Sequence, residues 1–113
     1  MSGPGALPPT SRVAHWNRED AGLDTRVRRR LFSAHRTMIV VCRSLPEPFG
    51  KAHAHLLDQV TIVLGGQVQA RMGSRVEQLG PGCSLHVPAG VPHAFRCVGP
   101  DAADTVNLFL PVR

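Results

Sequence analysis

The sequence is poor in aromatic residues and in lysine. Tyrosine is absent, and one Trp and four Phe bring aromatics to only 4% of 113 residues. Lys51 is the single lysine, so the basic charge is carried almost wholly by Arg. A single-stranded nucleic-acid surface interleaves basic charge with stacking rings. Only Phe32 stands near the densest basic run, Arg26, Arg28, Arg29 and Arg30. Nucleic acid is therefore not an expected partner. Cysteine is scarce as well. Cys42, Cys83 and Cys97 are odd in number, widely spaced and form no CxxC pair. That excludes a disulfide framework or a zinc finger and suits a reducing compartment. The longest apolar runs, such as Met38 to Cys42, fall far short of the ~20 residues of a membrane-spanning helix, so no membrane association is expected. No repeat with a period of roughly 20–50 residues is present, which excludes solenoids and propellers. Residues 1–10 lack the basic and apolar regions of a secretory signal. They read as a flexible leader, with residues 11–113 as one domain in a cytoplasmic protein.

Turn-forming residues are plentiful by contrast. Eleven Gly and ten Pro punctuate the chain. Both disfavour helices, so their abundance argues for short strands joined by tight turns. The formal net charge of +5 is uneven. Residues 1–36 carry +4 of it and residues 37–113 only +1, which places the excess outside the body of the domain. Strands are predicted over 37–43, 67–72, 75–79, 83–87, 93–98 and 105–110, with a strand pair over 53–64 that ends in a hairpin turn at Gly65-Gly66. About eight short strands follow residue 37, and no helix is predicted. This is the pattern of an all-β sandwich or barrel.

Three histidines carry the chemical signal. Along an extended segment residues two apart share a face, so His53, His55 and Gln59 project to one side. His93 follows a stiff turn, Pro88-Ala89-Gly90-Val91-Pro92. Three imidazole nitrogens and an amide oxygen form a donor set for a divalent ion with positions left open.

The spacing of these residues resembles the cupin superfamily. The first cupin motif runs G-x5-H-x-H-x3/4-E-x6-G. Here His53-Ala54-His55 leads through Gln59 to Gly66. The second runs G-x5-P-x-G-x2-H-x3-N, and Gly82, Pro88, Gly90 and His93 occupy its steps. The motifs span about residues 50–66 and 82–97. The resemblance implies a double-stranded β-helix, the jelly-roll barrel. It also implies one metal ion (Zn, Ni, Fe or Mn) held by His53, His55, Gln59 and His93. Three positions depart from the pattern: Glu47 stands for the leading Gly, Gln59 for the usual Glu, and Cys97 for the closing Asn. The final strand is similar to that of pectin-degradation-type cupins, in which an Asp and an Arg act near the metal. Phe109, Pro111 and Arg113 match, but Asn107 replaces the Asp. Asn cannot serve as a general base and can only orient a substrate. Asn107 and Arg113 are the catalytic candidates on this resemblance.

The implied function is Lewis-acid chemistry on a carbonyl or enolate of a small organic substrate, as in the cyclase, isomerase and lyase cupins. A dioxygenase using Fe, Ni or Mn and a non-catalytic binding module are the alternatives. Inward parity nominates Met38, Val40, Thr61, Phe95, Cys97 and Phe109 as substrate-binding residues, a largely apolar lining. Small cupins commonly pair, so a homodimer is expected.

Overall fold

A computed structural model describes residues 27–34 and 37–111. The leader 1–10, Arg26 and Arg113 lie outside the described residues. Eight strands follow in order: β1 (Val27–Ala34), β2 (Thr37–Ser44), β3 (Asp58–Gly65), β4 (Gln67–Met72), β5 (Arg75–Leu79), β6 (Ser84–Val87), β7 (His93–Val98) and β8 (Ala103–Leu110). They form a five-stranded sheet, β1-β2-β8-β3-β6, and a three-stranded sheet, β5-β4-β7, every neighbouring pair antiparallel. The chain thus forms the all-β jelly roll expected from its turn-rich sequence. Among the described residues no helix is long and apolar enough to cross a membrane.

Two expectations are corrected. The segment 53–57 is not strand: β3 begins at Asp58, and His53 makes only an isolated bridge to His93. The eighth strand therefore comes from before residue 37, as β1, and not from the histidine segment. Gly65-Gly66 is not a hairpin either. β3 pairs with β6 and β8 while β4 pairs with β5 and β7, so this connection carries the chain from one sheet to the other. A register shift between Val63 and Gly65 and a positive φ of 75° at Gly66 turn the backbone there.

Strand alternation builds the interior. On β3 the buried residues are Gln59, Thr61 and Val63, and on β8 they are Ala103, Thr105 and Asn107. The register sets Gln59 opposite Phe109, Thr61 opposite Asn107 and Val63 opposite Thr105. The interior is therefore graded along the strands. Val63, Val68, Ala70, Leu79, Cys97 and Ala103 form an apolar cluster at one end. Toward the other end the inward positions become Thr61, Asn107 and Gln59, beside His93 and Phe109. Such a gradient gives one end packing stability and leaves the other polar enough for chemistry.

Candidate functional site

The loop before β3 and the start of β7 supply the histidines and are laced together by main-chain bonds. His53 and His93 exchange N–H···O bonds of 2.8 Å in both directions, and Gly90 N–H donates to His55 O at 2.8 Å. Ala89 N–H donates to the Asp58 carboxylate at 2.8 Å, and that carboxylate also lies 3.7 Å from the exposed His86 ring. Asp58 thus ties the Pro88–Pro92 turn to the start of β3. No spacing in the sequence marks Asp58 for this role; only the juxtaposition of the two loops reveals it.

The ring nitrogens can be assigned from their partners. His93 Nδ1 lies 2.8 Å from Val91 O, and His55 Nδ1 lies 3.0 Å from Leu57 O. A carbonyl oxygen can only accept, so both Nδ1 atoms carry hydrogen and donate. That leaves Nε2 as the ring nitrogen available to a ligand, the arrangement that metal-ligating histidines use. The ring centroids of His55 and His93 are 4.8 Å apart, with Phe109 at 5.2 Å from His55 and Phe95 at 5.8 Å from His93. His93 and Gln59 are buried, at 5% and 4% exposure.

Gln59 closes the set. Its Nε2 donates to Thr61 Oγ1 at 2.8 Å and to Asn107 Oδ1 at 3.2 Å. Its Oε1 therefore faces His55 Nε2, 3.0 Å away. With the ring hydrogen on Nδ1, two lone pairs then confront each other with no hydrogen between them. A cation placed between them resolves the conflict. The 3.0 Å separation also matches the spacing of two N/O ligands each about 2.1 Å from one ion and at roughly a right angle.

The structure thus brings His55, Gln59 and His93 together. His53 is directly opposed to His93 across the antiparallel bridge, which puts both side chains on one face, but its side chain is exposed. Among the described residues no cluster of three His, Cys, Asp or Glu side chains is drawn close enough to hold a metal. The converging set contains two histidines, and its third member is an amide.

Of the expected substrate residues, Phe109 and Phe95 contact the imidazoles. Met38 stands opposite Phe109 on the neighbouring strand, and Val40 opposite Asn107. Cys97 lies in the apolar cluster at the far end, its Sγ donating to Asp101 O at 3.2 Å. Burial pushes its thiol pKa up, and the Asp101 and Glu47 charges add to this against a lowering backbone bond from Ala103. Thr61 and Asn107 are 1% and 8% exposed and spend their polar atoms on protein partners. Thr105, whose Oγ1 accepts from Asn107 Nδ2 at 3.3 Å, was not legible as part of this network. A threonine two residues earlier on the same strand is its only sequence trace.

Residues 41–109 match the family model described as Cupin domain. Comparison with curated proteins by sequence finds no match. Among solved structures the chain is similar to an RmlC-like cupin from Shewanella frigidimarina, at 23% identity and TM-score 0.76, covering 91% of this chain and 93% of that one. It is also similar to KdgF from Halomonas sp., at 21% identity and TM-score 0.72, covering 85% and 89%. A third, AerE from Microcystis aeruginosa, has 18% identity and TM-score 0.77; the match covers 85% of this chain but 46% of that one. At these identities the structures share the fold. With a family model spanning most of its length and the jelly roll in place, the chain belongs to the cupin superfamily.

Proposed function

We propose that this cupin holds one divalent metal ion through His55, Gln59 and His93, joined by His53, and acts on a small organic molecule without an obligatory redox step. The confrontation of His55 Nε2 and Gln59 Oε1 at 3.0 Å, with every neighbouring hydrogen already committed, carries this reading. An ion bound there supplies Lewis-acid polarisation of a substrate carbonyl or enolate.

The chain's own residues do the rest. Val91 O and Leu57 O hold the two imidazoles in the tautomer that presents Nε2. Phe95 and Phe109 flank those rings and keep the surroundings apolar, which strengthens electrostatic interactions at the site. Cyclase, isomerase or lyase chemistry on a neutral, apolar or aromatic substrate suits such a lining better than turnover of a sugar acid.

Elemental analysis of the purified protein tests the proposal. About one equivalent of Zn, Ni, Fe or Mn is expected, lost in His55→Ala and His93→Ala while the circular dichroism spectrum is kept. Metal retained in both variants would refute the site. Turnover that ceases without oxygen would replace Lewis-acid chemistry by the dioxygenase reading.

A further inference from the structure

We infer that Thr61 and Asn107 are positioning residues that fix the polarity of the Gln59 amide, so that its oxygen and not its nitrogen faces the histidines. This inference rests on the metal-site reading above. An amide side chain can be turned end for end with little change of shape, and its two ends have opposite chemistry. A site that needs an oxygen from Gln59 must therefore specify which end points inward.

The specification can be followed atom by atom. It starts at Val40 O, a main-chain carbonyl on β2 that can only accept. Asn107 presents Nδ2 to it at 3.4 Å and to Thr105 Oγ1 at 3.3 Å. Asn107 Oδ1 is thereby turned the other way, toward β3. There it accepts from Thr61 Oγ1 at 2.7 Å. A hydroxyl has one hydrogen, and Thr61 has spent it, so Thr61 Oγ1 is left as an acceptor toward Gln59. Gln59 now faces two acceptors, Thr61 Oγ1 at 2.8 Å and Asn107 Oδ1 at 3.2 Å, and must present Nε2 to both. Its Oε1 is left for His55 Nε2. The direction of every bond follows from a backbone carbonyl that cannot flip. Burial of Gln59, Thr61 and Asn107 at 4%, 1% and 8% exposure keeps water from substituting for any member.

This role is separate from substrate contact. Thr61 has no hydrogen left to donate, and Asn107 uses both ends of its amide on the protein. Neither offers a free polar atom to a substrate. Their effect on chemistry passes through Gln59.

The test is a Co2+ titration of the metal-free protein, read by calorimetry and by the visible ligand-field bands. Thr61→Val keeps the side-chain shape but removes the hydroxyl, and Asn107→Leu removes the acceptor. Both are expected to weaken Co2+ about 10–100-fold, the usual effect of losing a group that orients a metal ligand, and to shift the bands. Thr61→Ser keeps the hydroxyl and should return affinity and spectrum to near wild type. Unchanged affinity and bands in Thr61→Val and Asn107→Leu would overturn the inference while leaving the metal site intact. Failure of the underlying reading has a different signature: wild type takes up no Co2+, or His55→Ala keeps it, and either result removes both. Should the variants not fold, the wild-type protein still decides. Its Gln59 side-chain NH2 is expected to exchange slowly with deuterated solvent by NMR, and exchange at the free-amide rate would overturn the assignment.

Discussion

Replacing Gly66 by Ala, beside the same change at Gly82, isolates what the sheet-to-sheet crossing demands. Both glycines have positive φ, 75° and 85°. A left-handed conformation costs a non-glycine residue about 1–2 kcal/mol. At Gly82 an added Cβ meets nothing within 4 Å, so that cost is the whole effect expected. At Gly66 the Cβ would lie 2.6 Å from Ala102 O, 2.7 Å from Ala103 Cα and 2.9 Å from Ala103 Cβ. Two of these are main-chain atoms at the start of β8 and cannot rotate away. Overpacking of this kind adds about 1–3 kcal/mol, for a total of about 2–5 kcal/mol at Gly66. The smaller unfolded-state entropy of Ala favours both variants alike and cancels in their difference. Urea unfolding at neutral pH measures it. Taking about 4 °C per kcal/mol for a chain of this length, Gly66→Ala should melt some ~8–20 °C below wild type and Gly82→Ala only ~4–8 °C below. Equal losses in the two variants would refute the reasoning, because they share the torsion and differ only in the clash.

Three further outcomes follow. Exposed Cys83 should react with a thiol reagent in the native protein while buried Cys97 reacts only on unfolding; a fast-reacting Cys97 would show that the apolar end is open. Because burial raises the folded thiol pKa of Cys97, that thiol's contribution to stability is fully present below the ordinary thiol pKa. It is lost as pH rises through the folded value, and Cys97→Ser should flatten this alkaline decline in a urea titration. Arg43 makes a two-point contact with Asp104 at 2.8 and 3.1 Å on the surface, which raises the guanidinium pKa without burying it. Arg43→Ala should leave the melting temperature unchanged within about 2 °C, and a larger drop would mean that this pair is shielded from solvent.

Much of the site was legible in the chain itself. The spacing of His53, His55, Gln59 and His93 singled out the candidate donors, and the turn from Pro88 to Pro92 set His93 at the start of a strand. What misled was the reading of the stretch from His53 to Gln59 as extended. The shared parity of His55 and Gln59 suggested convergence, but the structure achieves it with a loop that ends at Asp58. Gly65-Gly66 misled for a related reason. A glycine pair announces a sharp change of direction, and nothing local says whether the next strand returns to the same sheet or crosses to the other.

The sequence by itself determined the all-β class, the turn positions, the cupin motifs and the candidate donors, because these depend on residue identity and short spacing. The tertiary structure alone decided which polar side chains meet. Thr61 and Asn107 are separated by 46 residues and touch because the β3–β8 register sets them opposite each other. Only that pairing assigns the ends of the Gln59 amide, since the direction of a hydrogen-bond chain is a property of all its members together and of none alone.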